Sequence, residues 1–457
     1  MRFMDRDQQR VFRLAGTVQH YAWGGRQFLP GLLERPNPDA RPFAEYWMGA
    51  HENASSELLL PGTEQSPCPQ GFAVNPQAVD FGTRGTIGAC TEALNTMILS
   101  GPEDLLGAYT AARFGRLPYL LKILDVKDML SIQVHPSKKV AEQAFLDENR
   151  KGIPLTAPDR NYKDDNHKPE LMVALSEFWL LHGFKPAEQL RRILQQTPEL
   201  RELETIFGEG SYLDLYTAVM HMEPLKVNRM LQPLLDRIIP LYKEDRLSRD
   251  SEDFWAARAA LTFNEAGRID RGIFSIYLFN LVNLHTGEAI FQDAGLPHAY
   301  LEGQNVEIMA NSDNVLRGGL TPKHIDVPEL LKHVRFEATR PQVISAEPTA
   351  HAAPGAHALH PSHTAPPVSV FHTPAPDFEL SRIALLKGES LSMTASSVEI
   401  YFVLEGDLEV SGDEYPPFTR KSGNAFAAFD GAGLHIKARK DVVLFRAAVP
   451  VPQPVRS

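Results

Sequence analysis

From Pro186 to about Phe263 the apolar residues of this chain recur at about 3.6 residues, and on either side they do not. PAEQLRRILQQ opens with proline near the first helical position and puts Leu190, Ile193 and Leu194 on one face. Val227, Met230, Leu231, Leu234 and Ile238 continue one stripe, and Phe254, Ala257 and Leu261 form another. Before this segment lie short apolar pieces broken by Gly, Pro and aromatics, such as GTVQHYAWGG, FAEYWMGAH, ASSELLL and LPYLLKIL, which read as strands. Strand-like residues resume at Gly272 with IFSIYLFNLVNL. A helical unit interrupting a β-rich domain accounts for both changes of period better than a separate domain following in sequence.

Past this region the pattern fades. Residues Ala346 to Pro376 are rich in Ala, Pro and His, with His351, His357, His360 and His363 among them. No acid or cysteine falls between His351 and His363, so a linker is the better reading than a metal tract. FELSRIALLKG, SVEIYFVLEGDLEVSG, GNAFAAFDG and VVLFRAAVP then give turn-separated strands, as a C-terminal sandwich or small barrel requires. SIQVHP reads as a strand, Ser137 as a helix cap, KKVAEQAFLDENRKG as a helix and Gly152 as its terminator.

At 457 residues the chain is long enough for two or three domains. A net charge of -11 argues against a general nucleic-acid or membrane-surface role. Only Cys68 and Cys90 occur, without metal-type spacing, which argues for a reducing compartment and against a disulfide framework; a single Cys68–Cys90 bridge is open but not expected. No apolar run approaches the ~20 residues of a membrane span, and the first residues carry acids rather than a leader's apolar core. A cytoplasmic protein is expected.

The chemistry concentrates in Ala289 to Asp326, a turn-rich stretch holding His298, Glu307, Asp313, Arg317 and Lys323. Two other stretches fit as its partners. In SIQVHP, Gln133 and His135 are two apart and share a strand face, as two donors to a zinc-class metal would; a buried histidine satisfied by a backbone carbonyl is the plainer reading. NYKDDNHKPE is either a solvated charged loop or a loop that turns Glu170 inward as a ligand where it enters LMVAL. His298 would complete a Gln/His/Glu/His set. No thiolate takes part, so the set is not a zinc finger, and it leaves a divalent ion electron-poor and open to substrate. Arg317 and Lys323 add positive charge for a phosphate or an oxyanion, and Glu307 and Asp313 are carboxylates able to move protons or hold the basic groups. Competing motifs fail: GEG at Gly208–Gly210 lacks its third glycine, and His51–Glu52 begins HExxH but meets Ser55 where the second histidine belongs. No phosphate loop and no GxSxG elbow is present.

Taken together these stretches resemble the type I phosphomannose isomerases. The family's Y-x-D-x-N-H-K-P-E pattern stands here as Tyr162 to Glu170. Its second pattern runs from His298-Ala299-Tyr300 through Glu307, Met309-Ala310, Ser312-Asp313-Asn314 and Arg317 to Thr321-Pro322-Lys323. SIQVHPSKK, YAWG and AEYWMGAH also match, and the similarity spans roughly Val18 to Phe336. The resemblance implies a mostly β fold with an α-helical insertion: cupin-like jelly-roll barrels, one catalytic and one C-terminal, plus a helical domain. In these terms residues 1–180 and 265–340 form the catalytic barrel, 181–264 the inserted helices, 341–376 the linker and 377–457 the C-terminal β domain.

It further implies one zinc ion per chain, held by Gln133, His135, Glu170 and His298. Arg317 matches the arginine named as catalytic; Lys323, Lys168, Tyr300, Glu307 and Asp313 match active-site positions, and Ser131 and Lys122 the phosphate end of the substrate. The family has Ala where this chain has Gly318, after the arginine, which predicts a looser backbone there. The implied reaction interconverts D-mannose 6-phosphate and D-fructose 6-phosphate through a zinc-stabilised enediol(ate). Residue type alone favours Glu307 and Lys323 over Asp313 as the proton-transferring base. The implied partner is a small sugar phosphate, on a monomer or weak homo-oligomer. The alternative is a non-catalytic sugar-phosphate-binding cupin acting as a metabolic sensor. A bifunctional enzyme that also makes a nucleotide sugar would need a glycine-rich nucleotide loop, which is absent.

Overall fold

One strand, His298–Ala310, organises the sheet that carries the candidate site. The computed structural model describes residues 9–60, 90–348, 367–412 and 415–451. The second half of that strand lies between Tyr119–Val126 and Glu170–Ala174, with Glu307 opposite Lys122 on one side and Met172 on the other. Its first half pairs instead with Phe178–Phe184 and, at His298, with Gln133 of Ile132–Val134. The change of partner coincides with a register shift between Tyr300 and Glu302 and with Gly303 at φ +136°. A β-carbon at Gly303 would meet Phe178 Cδ2 at 2.5 Å and the Glu177 carbonyl oxygen at 2.7 Å. Only glycine permits this bend, and the bend folds the strand into two pleated faces. Eleven strands join around it among the described residues.

A second, nine-stranded sheet runs from Glu347–Pro348 through the C-terminal strands to Val11–Ala15, Glu57–Leu59 and Thr91–Ala93. The N-terminal strand Val11–Ala15 therefore pairs with Ala425–Ala428. A core including Phe12, Tyr119, Leu171, Phe378, Ile400 and Phe445 binds the two large sheets together. A four-stranded sheet, Ser390–Thr394, Gly433–Ala438, Asp407–Gly412 and Tyr415–Lys421, closes over the other face of the C-terminal strands. The fold is thus strand-rich with a helical part.

The helical part comprises Ala187–Gln196, Arg201–Phe207, Tyr212–Met220, Pro224–Lys243, Glu252–Phe263 and Gly272–Leu278. Ser211 and Ser251 cap two of these helices by accepting the backbone N–H of Asp214 and Asp253. The predicted stripe Val227, Met230, Leu231, Leu234 and Ile238 is buried, where truncating one leucine costs about 2–5 kcal/mol. Leu190 and Leu194 are buried and Ile193 packs at the edge. The second stripe is displaced: Leu261 is 51 % exposed, and Trp255, Ala256, Ala259 and Ala260 face inward with Ala257.

Two local expectations need correction, and one, the Ser137 cap, is met in position only. IFSIYLF was expected as a strand, but Gly272–Leu278 is a helix and the strand begins at Phe279. Asp270 accepts the Gly272 N–H at 2.7 Å and starts the helix, and complete burial of that turn hides any periodicity. Ser137 occupies the N-cap of Lys138–Arg150 without a side-chain hydrogen bond. Cys90 is disulfide-bonded, against the expectation of free thiols; Cys68 lies outside the described residues, as do His351, His357, His360 and His363. No helix among the described residues is long and apolar enough to cross a membrane.

Candidate metal centre and active site

Ile132 and Val134 point into the core, so Gln133 faces the opposite side of the strand. His135, one residue past the strand end, donates from Nδ1 to the Asn314 carbonyl at 2.8 Å. His298 donates from Nδ1 to the Leu296 carbonyl at 2.9 Å. With both Nδ1 protons committed, each ring presents an Nε2 lone pair, and both lone pairs face Glu170. The distances are 3.4 Å from His135 Nε2 to Glu170 Oε1 and 3.3 Å from His298 Nε2 to Oε2. Ligand atoms of His135, Glu170 and His298 all lie within 4.8 Å of one another, and all three residues are buried.

This donor set fits a divalent cation. His135 Nε2 is buried without a hydrogen-bond partner, and two lone pairs aimed at a carboxylate repel unless positive charge stands between them. Burial lowers the His135 pKa to about 4, which keeps the ring neutral as a ligand must be. Burial alone would raise the Glu170 carboxyl, but the Lys168 ammonium pulls it the other way, and it is held well below the ordinary range. Lys168 Nζ lies 3.2 Å from Glu170 Oε1. Gln133 sits opposite His298 in register and lines the same recess as Glu170 and His298.

The recess continues to Glu307, Tyr300 and Lys122. Lys122 Nζ is 3.3 Å from Glu45 and 3.1 Å from Glu307, and it stands 5.0 Å over the Trp47 ring. Burial would lower its pKa, yet Glu45 and Glu307 together raise it, so the ammonium stays charged. Tyr300 donates to Glu307 Oε1 at 2.8 Å. Burial raises the Glu307 carboxyl even against Lys122.

Outside the recess a cavity of about 1120 Å³ opens, lined in part by Ser131, Asp313, Arg317 and Lys323. Burial lowers the Arg317 pKa, and both burial and the Arg317 charge lower that of Lys323. Neither side chain has a hydrogen-bonding or carboxylate partner among the described residues. Asp313 is held at Oδ2 by His51 Nε2 at 3.2 Å. Burial raises its carboxyl and His51 outweighs that, leaving it below the ordinary range.

The loop NYKDDNHKPE reaches this place because NSDN, residues 311–314, is laced to it. Asn314 Oδ1 accepts the Lys163 N–H at 2.7 Å, and its Nδ2 donates to the Asp164 and Asn166 carbonyls at 2.8 and 2.9 Å. Ser312 Oγ donates to Asp164 Oδ1 at 2.8 Å. Asn314 thus serves the loop with its side chain and His135 with its backbone. Residue types had not singled out Asn314, Glu45, Trp47 or His51. The last three alternate along AEYWMGAH, and that alternation was the available signal. Gly318 is buried and not loose: a β-carbon there would meet the Tyr216 hydroxyl at 2.8 Å and Ile132 Cγ2 at 3.0 Å.

Comparison with known proteins places this geometry. A profile for the phosphomannose isomerase type I catalytic domain matches residues 11–68 and 85–187. Mannose-6-phosphate isomerase of Escherichia coli K12 is 35% identical over 93% of this chain and 96% of its own length. The chain belongs to the type I phosphomannose isomerases. The mammalian branch of the family is similar too: the Mus musculus mannose-6-phosphate isomerase is 31% identical over 96% of this chain and 98% of its own. Among solved structures, mannose 6-phosphate isomerase from Salmonella typhimurium bound to its substrate fructose 6-phosphate and zinc superposes with a TM-score of 0.77. It is 30% identical and covers 97% of this chain and all of that one. A zinc-bound mannose 6-phosphate isomerase superposes with a TM-score of 0.78 at 30% identity.

Proposed function

We propose that this chain is a zinc-dependent mannose-6-phosphate isomerase that interconverts D-mannose 6-phosphate and D-fructose 6-phosphate. The observation that carries the reading is the pair of imidazole Nε2 lone pairs aimed at one buried carboxylate, in a member of this family. Gln133, His135, Glu170 and His298 would hold the ion. Zinc bound there supplies Lewis acidity toward the oxygens of the sugar's reacting carbons.

The rest falls to the chain's own groups. Arg317 and Lys323 offer charge with no competing carboxylate partner, and with Ser131 they form the anion-accepting wall of the cavity. Isomerisation moves a proton from C2 to C1 through an enediol and requires the sugar ring to open. Asp313 is ionised, reaches the open cavity and is oriented by His51, so it is suited to take a proton. Glu307, buried and bonded to Tyr300 and Lys122, keeps a raised pKa and is suited to orient Lys122 or to carry a proton inside the recess. Lys168 fixes Glu170. Lys122, matched to the phosphate end by resemblance, is engaged by Glu45 and Glu307, which favours a role beside the reacting carbons.

The two-faced sheet around His298–Ala310 and the C-terminal sheets fit two cupin-like jelly-roll barrels. Within that description 1–180 with 265–340 make the catalytic unit, except that Val11–Ala15, Glu57–Leu59 and Thr91–Ala93 pair into the C-terminal sheet, while 181–264 make the inserted helices and 377–457 the C-terminal unit. A cytoplasmic monomer or weak homo-oligomer belongs to the same reading. The test is a coupled assay on mannose 6-phosphate before and after chelation, then with zinc restored. Turnover that persists after complete zinc removal overturns the metal mechanism. Full turnover in Arg317→Ala revives the sensor alternative.

A further inference from the structure

His167 and Asp377 join the active-site loop to the C-terminal sheet. His167 Nε2 lies 2.9 Å from Asp377 Oδ2. Asp377 stands just before Glu379–Leu385, a strand of the nine-stranded sheet, and its neighbours Ala375 and Phe378 are packed in the core between the two large sheets. Its side chain is 3 % exposed. A carboxylate so placed costs several kcal/mol unless a hydrogen-bonding partner meets it. Among the described residues, that side-chain partner is His167.

His167 does not line the substrate cavity; the residue after it does. On its N-terminal side, the Asn166 carbonyl is fixed by Asn314 Nδ2 at 2.9 Å and by Ser312 Oγ at 3.2 Å. On its C-terminal side, Lys168 reaches Glu170 Oε1 at 3.2 Å. Asn166 Nδ2 also donates to the Asn311 carbonyl at 3.1 Å, and the tie at His167 itself comes from the C-terminal sheet. A tie made only for stability would have no reason to end one residue from Lys168, at the single histidine of this loop. We propose that the C-terminal sheet takes part in catalysis through Asp377, a positioning residue that orients His167 and so holds the Lys168 ammonium against Glu170. The proposal rests on the isomerase reading above and gives that sheet a function in the same site.

The test compares wild type, Asp377→Asn, His167→Gln, the double variant and Asp377→Glu, all zinc-loaded. Steady-state turnover of mannose 6-phosphate is measured beside zinc content and thermal midpoint. Each single charge-removing or ring-removing variant is expected to lose about tenfold in kcat with KM within about twofold. The double variant should fall no further than the worse single, because one connection is being cut. Asp377→Glu should recover part of the loss. Unchanged kcat in the singles, losses that multiply in the double, or losses that follow a fall in zinc content would each overturn it. If Asp377→Asn does not fold, His167→Asn, altered on the less buried partner, decides by the same kcat and KM criterion. A wild-type enzyme without turnover would refute the isomerase reading itself, a result distinct from active wild type with unaffected variants.

Discussion

His51 Nε2 stands 3.2 Å from Asp313 Oδ2, while His51 Nδ1 accepts the backbone N–H of Asn53 at 3.2 Å. The second contact leaves the ring proton on Nε2, so the imidazole donates to the carboxylate and fixes one of its oxygens. His51 is itself wedged edge-on to Trp47, with ring centres 4.9 Å apart. Removing the ring lets burial act on Asp313 unopposed by its donor, which raises that carboxyl. A carboxylate needed as a base then becomes active only at higher pH. His51→Phe is expected to shift the acid limb of kcat/KM upward and to lower the plateau by about 10–100-fold. A pH–rate profile with an unmoved acid limb refutes the assignment.

Arg317 and Lys323 line the cavity, and among the described residues neither is paired with a carboxylate. A phosphate dianion should bind there with salt-sensitive affinity. Lys323→Met is expected to raise KM for mannose 6-phosphate about tenfold or more. Inorganic phosphate should compete with substrate in the wild type and much less in the variant. Non-competitive inhibition, equal in both proteins, would place the anion elsewhere.

The Tyr216 hydroxyl fills the position that a methyl at residue 318 would take. Gly318→Ala should therefore destabilise by about 1–3 kcal/mol, as overpacking does. Tyr216→Phe in the same chain should restore most of it by withdrawing the hydroxyl oxygen. Urea unfolding of the two variants and the pair measures the coupling, and purely additive values would contradict the contact.

His182 is buried beside His298, with its Nε2 3.2 Å from the Phe291 carbonyl, and burial lowers its pKa to about 4. The folded state thus binds its proton later than the unfolded state, whose histidine titrates near ~6.5. Stability from the neutral ring is full above that value and is lost as pH falls from about 6.5 toward about 4, by up to about 3 kcal/mol. In chelator, wild type should lose stability across this window more steeply than His182→Gln. Equal slopes would show that His182 charges without cost.

Residue pattern and spacing made much of the site legible. His135 lies two residues past Gln133, just beyond the strand end, and His298 follows a fixed proline turn, so the approach of both histidines to Glu170 needs only the strand pairings observed. The stripe from Val227 to Ile238 was legible because half-buried helices keep their period. Gly272–Leu278 was not, because every residue of it is buried and no polar face marks the turn. The His51–Asp313 and His167–Asp377 contacts were illegible for another reason: each joins residues far apart in sequence whose types are common on any surface. Gly318 misled in the opposite direction, since a missing methyl says nothing about which neighbour moved in to fill its volume.

The pairing of Val11–Ala15 with Ala425–Ala428 has a consequence for biosynthesis. Val11–Ala15 must wait for Ala425–Ala428, which is made about 20–80 s later at ordinary translation rates. Meanwhile its free edge, together with the apolar residues Val11, Phe12 and Leu14, stays open to other chains. A nascent copy on the ribosome is thus exposed to strand exchange throughout that interval, and chaperone dependence during expression should depend on this edge more than on the candidate metal site.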